Sequence, residues 1–409
     1  MARVRIPPTL RAEVGGERQV EAAGTTVREV FEDLAARYPG LGAQIMADDD
    51  IAPFVNVYLD NEDVRTLDGL DTAVGDGATV ILLPAMAGGT IPATGPTPVV
   101  ASVLDLIGST PLVELSRISP KTGGRIYAKL EGQNPTGSIK DRVAKTMVEA
   151  AEAAGELEPG RELLEPTSGN TGISLAAVAK LKGYSLTCVM PENSTEERIR
   201  LLELYGAAVV FSPGEAGSNG AVRLALELAE SDPRYFMPFQ YANAANPRAH
   251  YEGTASEIAE ALPRVDAFVA GLGTGGTLMG AGERLRESFP DVQIVAAEPL
   301  QGDAVMGLRS LEDGYVPPIL DVSKLDRKIL VSNAEAVRCL LDLLNLEGIF
   351  GGVSSGAVVE VGHKVAAELD DGANVVCVLA DAGWKYLSAD FWTRPSDQVE
   401  QSMENRVWW

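Results

Sequence analysis

The sequence predicts an α/β protein of two parallel-sheet lobes, preceded by a small α+β unit. Three observations carry this. From about residue 102 to 395, short apolar runs alternate with segments of helical spacing, the order expected of a parallel sheet covered by helices on both faces. Residues 1–89 hold strand-like runs around one amphipathic helix. Between them, TIPATGPTPVVA at 90–101 carries Pro92, Gly95, Pro96 and Pro98 and reads as a linker that spans at most about 40 Å.

In chain order, the first unit opens with a strand candidate at 2–6. In TVREVFEDLA, at 26–35, Val27, Val30, Phe31 and Leu34 fall at i, i+3, i+4 and i+7, with Thr25 or Thr26 available as N-cap. Strands are expected at 54–59 (FVNVYL), ahead of a turn at Asp60-Asn61-Glu62-Asp63, and at 79–83 (TVILL). The unit ends in Ala85-Met86-Ala87-Gly88-Gly89. In the second unit the runs RIYAKL, SLTCVM, AAVVFS, AFVAGL, QIVAAE and NVVCVLA predict buried strands, and TEERIRLLELYG a helix. Its length suggests two lobes, the smaller at about 134–240. The tail, 396–409, is polar until Val407-Trp408-Trp409.

Composition narrows the function classes. Of 409 residues 45% are hydrophobic and 22% charged, as in an ordinary soluble globular protein. No run of 18 apolar residues predicts a membrane span, and MARVRIPPTL lacks the apolar core of a secretory signal, so a cytoplasmic location is expected. The net charge of -24 opposes nucleic-acid binding and requires any anionic ligand to be held by local donors. Cys188, Cys339 and Cys377 lack CxxC spacing, which excludes a zinc site and a disulfide framework, and no metal is expected. Two histidines, His250 and His363, leave little material for a Ser-His-Asp mechanism.

Four loops carry candidate chemistry. Asn134-Pro135-Thr136-Gly137-Ser138-Ile139-Lys140-Asp141-Arg142 precedes a helical run, so Lys140 sits near a helix N-terminus. A lysine amine of lowered pKa attacks a cofactor aldehyde; a solvated surface lysine is the alternative. Thr167-Ser168-Gly169-Asn170-Thr171-Gly172 follows ELLEP and opens a helix, where backbone N–H groups favour an anion such as a substrate carboxylate, unless it is merely a turn. Gly271-Leu272-Gly273-Thr274-Gly275-Gly276-Thr277 follows DAFVA. It matches neither the GxxxxGK[ST] loop nor the dinucleotide fingerprint, and suits a compact monophosphate. Gly351-Gly352-Val353-Ser354-Ser355-Gly356 opens another helix; a serine here bonds a cofactor ring nitrogen or caps the helix.

In this order the motifs are similar to those of a known family. Residues 98–390, beginning at Gly108-Ser109-Thr110-Pro111-Leu112, resemble the cysteine synthase branch of the fold-type II pyridoxal-phosphate enzymes. The resemblance implies pyridoxal 5'-phosphate attached to Lys140, with Asn170 at its O3'. It implies a phosphate cradle of Gly273, Thr274, Gly275, Gly276 and Thr277, and Ser354 at the pyridine nitrogen. Substrate carboxylate recognition falls on Thr167, Ser168 and Thr171. A neutral serine at the ring nitrogen suits β-elimination, with Lys140 as the base at Cα. The family forms homodimers.

LLELYG at 201–206, Gly307-Leu308-Arg309 with Asp313-Gly314-Tyr315, and DAGWKYLS at 381–388 resemble the subgroup that uses O-phosphoserine. There the arginine matching Arg309 contacts the substrate phosphate, a forked cation for a dianion that an acetyl ester lacks. The alternatives are an O-acetylserine sulfhydrylase or cystathionine β-synthase-like enzyme that uses free sulfide or thiol, or a silent binding scaffold.

Residues 1–89 resemble the ubiquitin-like sulfur carriers, on FVNVYLDNEDVR and the closing Ala87-Gly88-Gly89. This implies a β-grasp fold and a glycine thiocarboxylate as sulfur donor, charged by an adenylating sulfurtransferase. The chain departs from the pattern because Thr90 follows Gly89, so a peptidase cut after Gly89 is expected; otherwise the domain is a docking module. In related synthases the C-terminus can fold over the active site, so the Val407-Trp408-Trp409 end is a candidate lid, with a disordered tail or dimer contact as the other readings.

Overall fold

The computed structural model describes residues 1–47, 50–52, 55–60, 62–84, 99–167, 169–194, 196–303, 305–387, 389 and 392. Two compact units meet in sequence between Val99 and Val100. The Gly88-Gly89 terminus, the linker as far as Pro98 and the tail from 393 onwards lie outside the described residues.

The first unit is a five-stranded mixed sheet crossed by a helix. Its strand order is Gln19–Ala22, Ala2–Arg5, Thr79–Pro84, Val55–Leu59, Glu62–Asp63, with Ala2–Arg5 and Thr79–Pro84 paired in parallel at the centre. The helix Val27–Arg37 buries the four apolar residues at i, i+3, i+4 and i+7. Each contributes about 1.5–3 kcal/mol in leaving water. Of the two candidate caps, Thr26 is the one used: its side chain accepts from the Glu29 backbone N–H, while Thr25 bonds the Glu29 carboxylate. Asp60 turns the chain into the hairpin with φ 48°, a left-handed conformation that aspartate tolerates. The sequence does not announce the short strand Gln19–Ala22 or the helix Pro39–Ile45.

The second unit holds two sheets. The larger runs Arg327–Val331, Gln293–Pro299, Ala267–Gly271, Asn374–Leu379, Arg125–Leu130, all parallel, and closes with Leu112–Glu114 antiparallel at the edge. The smaller runs Ala208–Ser212, Ser185–Pro191, Glu162–Pro166, Tyr235–Phe236, all parallel. Helices on both faces explain why runs such as Ala267–Ala270 are buried throughout instead of alternating. All three cysteines are buried thiols without disulfide partners. Burial pushes the Cys188 and Cys377 thiols well up, and that of Cys339 up to about 12. Among the described residues no helix is long and apolar enough to cross a membrane.

A buried charge network fixes the helix that follows the lysine loop. The Arg142 guanidinium donates to both Glu131 oxygens at 2.8 and 2.9 Å and to both Glu257 oxygens at 2.6 and 2.8 Å. Lys129 adds a 2.5 Å bond to Glu257, which also accepts from the Ser109 and Thr110 backbone N–H groups. Burial works against the Glu257 carboxylate, but Arg142 and Lys129 hold it down at about 2. Two cations balance two carboxylates, so no charge is left uncompensated. Replacing Arg142 with methionine strands the fully buried Glu131 carboxylate. Arg142→Met is expected to cost about 3–5 kcal/mol in urea unfolding; an unchanged midpoint would contradict the role given to the network.

Candidate active site

A cavity of about 160 Å³ opens at the carboxyl ends of strands from both sheets, where parallel α/β folds place their ligands. It is lined by Lys140, Thr167, Asn170, Thr171, Gly273, Thr274, Gly275, Thr277, Arg309 and Ser354. Gly276 directly follows, opening the Gly276–Ser288 helix. Ser168 lies outside the described residues.

Lys140 is the first residue of the helix Lys140–Ala153. The turn before it is held by Asp141, whose carboxylate accepts from the Thr136 backbone at 2.7 Å and from the Ser174 hydroxyl at 2.5 Å. Gly137 has φ +81° and lies against Trp384, where a Cβ would come 2.8 Å from the indole ring. Backbone bonds from Ile139 to Ala380 (2.8 Å) and from Ala382 to Gly137 (3.1 Å) stitch the turn to the end of a central strand. Burial lowers the Lys140 amine to about 8, against the pull of the Asp381 carboxylate. At pH 7 roughly a tenth of it is neutral and nucleophilic, roughly 300 times the fraction for an ordinary lysine.

The glycine loop leaves no room for side chains. A Cβ on Gly276 would sit 2.0 Å from Asn246 Oδ1, and Gly275 adopts φ +87°. Asn246 donates to the Thr274 hydroxyl at 3.1 Å, while its own Oδ1 is buried without a partner. The Thr277 hydroxyl lies 3.3 Å from Nε2 of His250, whose Nδ1 is 3.2 Å from Thr254. Burial, then the nearby Lys140 and Arg142 charges, lower His250 well below the usual histidine range, so it sits neutral behind the loop.

Ser354 is the second residue of the helix Val353–Glu368, and the N-cap is Gly352. That removes the capping reading of Ser354 and leaves its hydroxyl in the cavity wall. Asn170 starts the helix Asn170–Lys182 and donates to Asp381 Oδ2 at 2.7 Å. The Thr171 hydroxyl donates to Gln240 Oε1 at 2.7 Å. Gln240 and Tyr241 line the cavity although no loop motif points to them. They are set by Glu165, a buried carboxylate that accepts the Phe239 and Gln240 backbone N–H groups at 2.8 and 3.0 Å. The signal for them was a polar FQYANAANP run after the YF strand, which periodicity does not register.

Arg309 is buried, with its guanidinium 5.5 Å from the Tyr241 ring and 5.0 Å from that of Tyr315. It is therefore not a surface ion pair. Its backbone N–H donates to Leu272 at 2.7 Å, tying it to the glycine loop.

These residues fit pyridoxal phosphate. A buried amine of lowered pKa suits an aldehyde, a close-approach glycine loop at a helix N-terminus suits a phosphate, and a neutral hydroxyl in the wall suits a ring nitrogen. Residues 103–381 match the family described as pyridoxal-phosphate dependent enzyme, and residues 4–89 match the ThiS family. A probable cysteine synthase of Bacillus subtilis (strain 168) is 44% identical over 306 residues, covering 72% of this chain and 98% of that protein. The chain belongs to the cysteine synthase family of pyridoxal-phosphate enzymes, with a ThiS-family domain fused ahead of it. A cysteine synthase of Staphylococcus aureus (strain Mu50 / ATCC 700699) is 41% identical over 303 residues, 72% of this chain and 97% of that protein. Among solved structures, an O-ureido-L-serine synthase superposes with a TM-score of 0.69 at 39% identity, over 75% of this chain and 100% of the other. Pyridoxal 5'-phosphate is thus the cofactor of this cysteine synthase family member, and its first unit is a β-grasp.

Glu165 generates a pH prediction. Burial raises it from an ordinary value near 4.5 to about 7, against the opposing backbone donors of Gln240 and Phe239. A carboxyl raised in the folded state favours folding fully below about pH 4.5 and loses that contribution as pH climbs through about 7. The change amounts to at most ~3 kcal/mol. Urea unfolding between pH 5 and 8 should therefore show a downward slope in wild type that flattens in Glu165→Gln; parallel slopes would exclude Glu165 as its source.

Proposed function

We propose that this enzyme makes L-cysteine, or a carrier-cysteine adduct, from O-phospho-L-serine by β-replacement, with a thiocarboxylated carrier or sulfide as sulfur donor. The observation that supports the phosphate ester is Arg309, a buried guanidinium in the cavity wall beside the paired rings of Tyr241 and Tyr315. A forked cation suits a leaving phosphate and has no partner in an acetyl ester. When bound, the cofactor supplies the electron sink for elimination.

The side chains then divide the work. Lys140 would hold the cofactor, and its amine is the base placed to take the Cα proton. Asn170 would serve O3' and Ser354 the ring nitrogen. Gly273, Thr274, Gly275, Gly276 and Thr277 would hold the cofactor's phosphate. Thr167, Ser168 and Thr171 hold the substrate carboxylate, with Gln240 orienting the Thr171 hydroxyl. The domain reading is a carrier at 1–89, a linker at 90–101, a synthase at 102–395 and a tail at 396–409, working as a homodimer. A peptidase cut after Gly89 frees the carrier terminus for an adenylating sulfurtransferase. The second reading is an O-acetylserine sulfhydrylase supplied with free sulfide, the first unit then serving only to dock.

Arg309→Ala is expected to lower kcat/KM for O-phosphoserine by roughly 10- to 150-fold, the range of one charge-assisted hydrogen bond. Turnover of O-acetylserine should stay within a few-fold, and equal loss with both esters would sink the assignment. The processing step is read by intact mass of the protein from its native cell. A fragment ending at Gly89 is expected, and finding only the 409-residue chain would refute the cut.

A further inference from the structure

Asn170 is gripped at both ends of its amide. Lys385 Nζ donates to its Oδ1 at 2.6 Å, and its Nδ2 donates to Asp381 Oδ2 at 2.7 Å. Asp381 is buried and is itself held, since the Tyr386 hydroxyl donates to the same Oδ2 at 2.5 Å. Turning the amide over would set its NH2 against an ammonium and its oxygen against a carboxylate. Two charge-assisted bonds would become two repulsions, so the orientation is over-determined.

We propose that Lys385 and Asp381 are positioning residues that lock the Asn170 amide with its Nδ2 toward the reacting ring, so that Asn170 offers O3' a donor and never an acceptor. The inference rests on the reading that Asn170 meets O3'. Nδ2 carries two hydrogens, so it can serve Asp381 and O3' together. Lys385 has three donors and no acceptor, which makes it the unambiguous partner for Oδ1. The charged and titratable groups that act on it are Asp381, Asp141 and Arg198. Burial lowers its amine to about 8 against the two carboxylates, leaving it mostly cationic at neutral pH.

The signature of a lost lock is spectroscopic. An amide free to turn can present Oδ1 to O3', which then has to keep its proton, and the bound cofactor shifts toward its short-wavelength absorbing form. The test uses the full chain loaded with pyridoxal phosphate, comparing band ratios at fixed pH in wild type, Asn170→Ala, Lys385→Met, Lys385→Arg and Asp381→Asn. Lys385→Met is expected to raise the short-wavelength fraction roughly threefold or more, the worth of one ordinary hydrogen bond. Lys385→Arg should restore it. In the Asn170→Ala background Lys385→Met should add nothing. A ratio changed by Asn170→Ala but not by Lys385→Met overturns the lock and leaves the Asn170 reading intact. An unchanged ratio in Asn170→Ala removes that reading and the lock with it. A Lys385→Met effect that persists without Asn170 also overturns the lock. Should Lys385→Met not fold, Lys385→Ala carries the same decision.

Discussion

The proposed chemistry depends on one amine that burial keeps from its ordinary charge. Lys140 reaches its place because the turn before it is fastened on two sides, by Asp141 across Thr136 and Ser174, and by main-chain bonds to Ala380 and Ala382. The Arg142 network two residues beyond Lys140 is the anchor for that arrangement. It joins the loop at Ser109 and Thr110, the strand carrying Lys129 and the helix that begins with Lys140 in one charge-neutral cluster.

Anion binding in so acidic a protein follows the same economy. A chain with a net charge of -24 gives no long-range attraction to phosphates or carboxylates. The cavity instead collects local donors: helix N-termini at Asn170 and Gly276, threonine hydroxyls, and one buried guanidinium. Neutral His250 behind Thr277 fits this scheme, because it orders a hydroxyl without adding charge beside Lys140.

The sequence carried the architecture well where period and burial coincide. Six apolar runs predicted strands of the two sheets, and the i, i+3, i+4, i+7 stripe at Val27 to Leu34 predicted the helix of the first unit. It carried less at edges. Leu112–Glu114, Tyr235–Phe236 and the half-exposed Arg327–Val331 are strands only because a neighbour pairs with them, which no local pattern encodes. The loops that follow strands and open helices were legible by their glycines and hydroxyls. Gln240, Glu165 and Lys385 were not, since each matters through a partner 69 or more residues away.

The buried cysteines bear on how a sulfur-handling enzyme treats its own sulfur. Every thiol in the chain is buried, and each is held in its protonated form at neutral pH. Thiolates are the species that attack disulfides, persulfides and peroxides. An enzyme whose own product is a thiol therefore exposes no sulfur of its own for that product to exchange with.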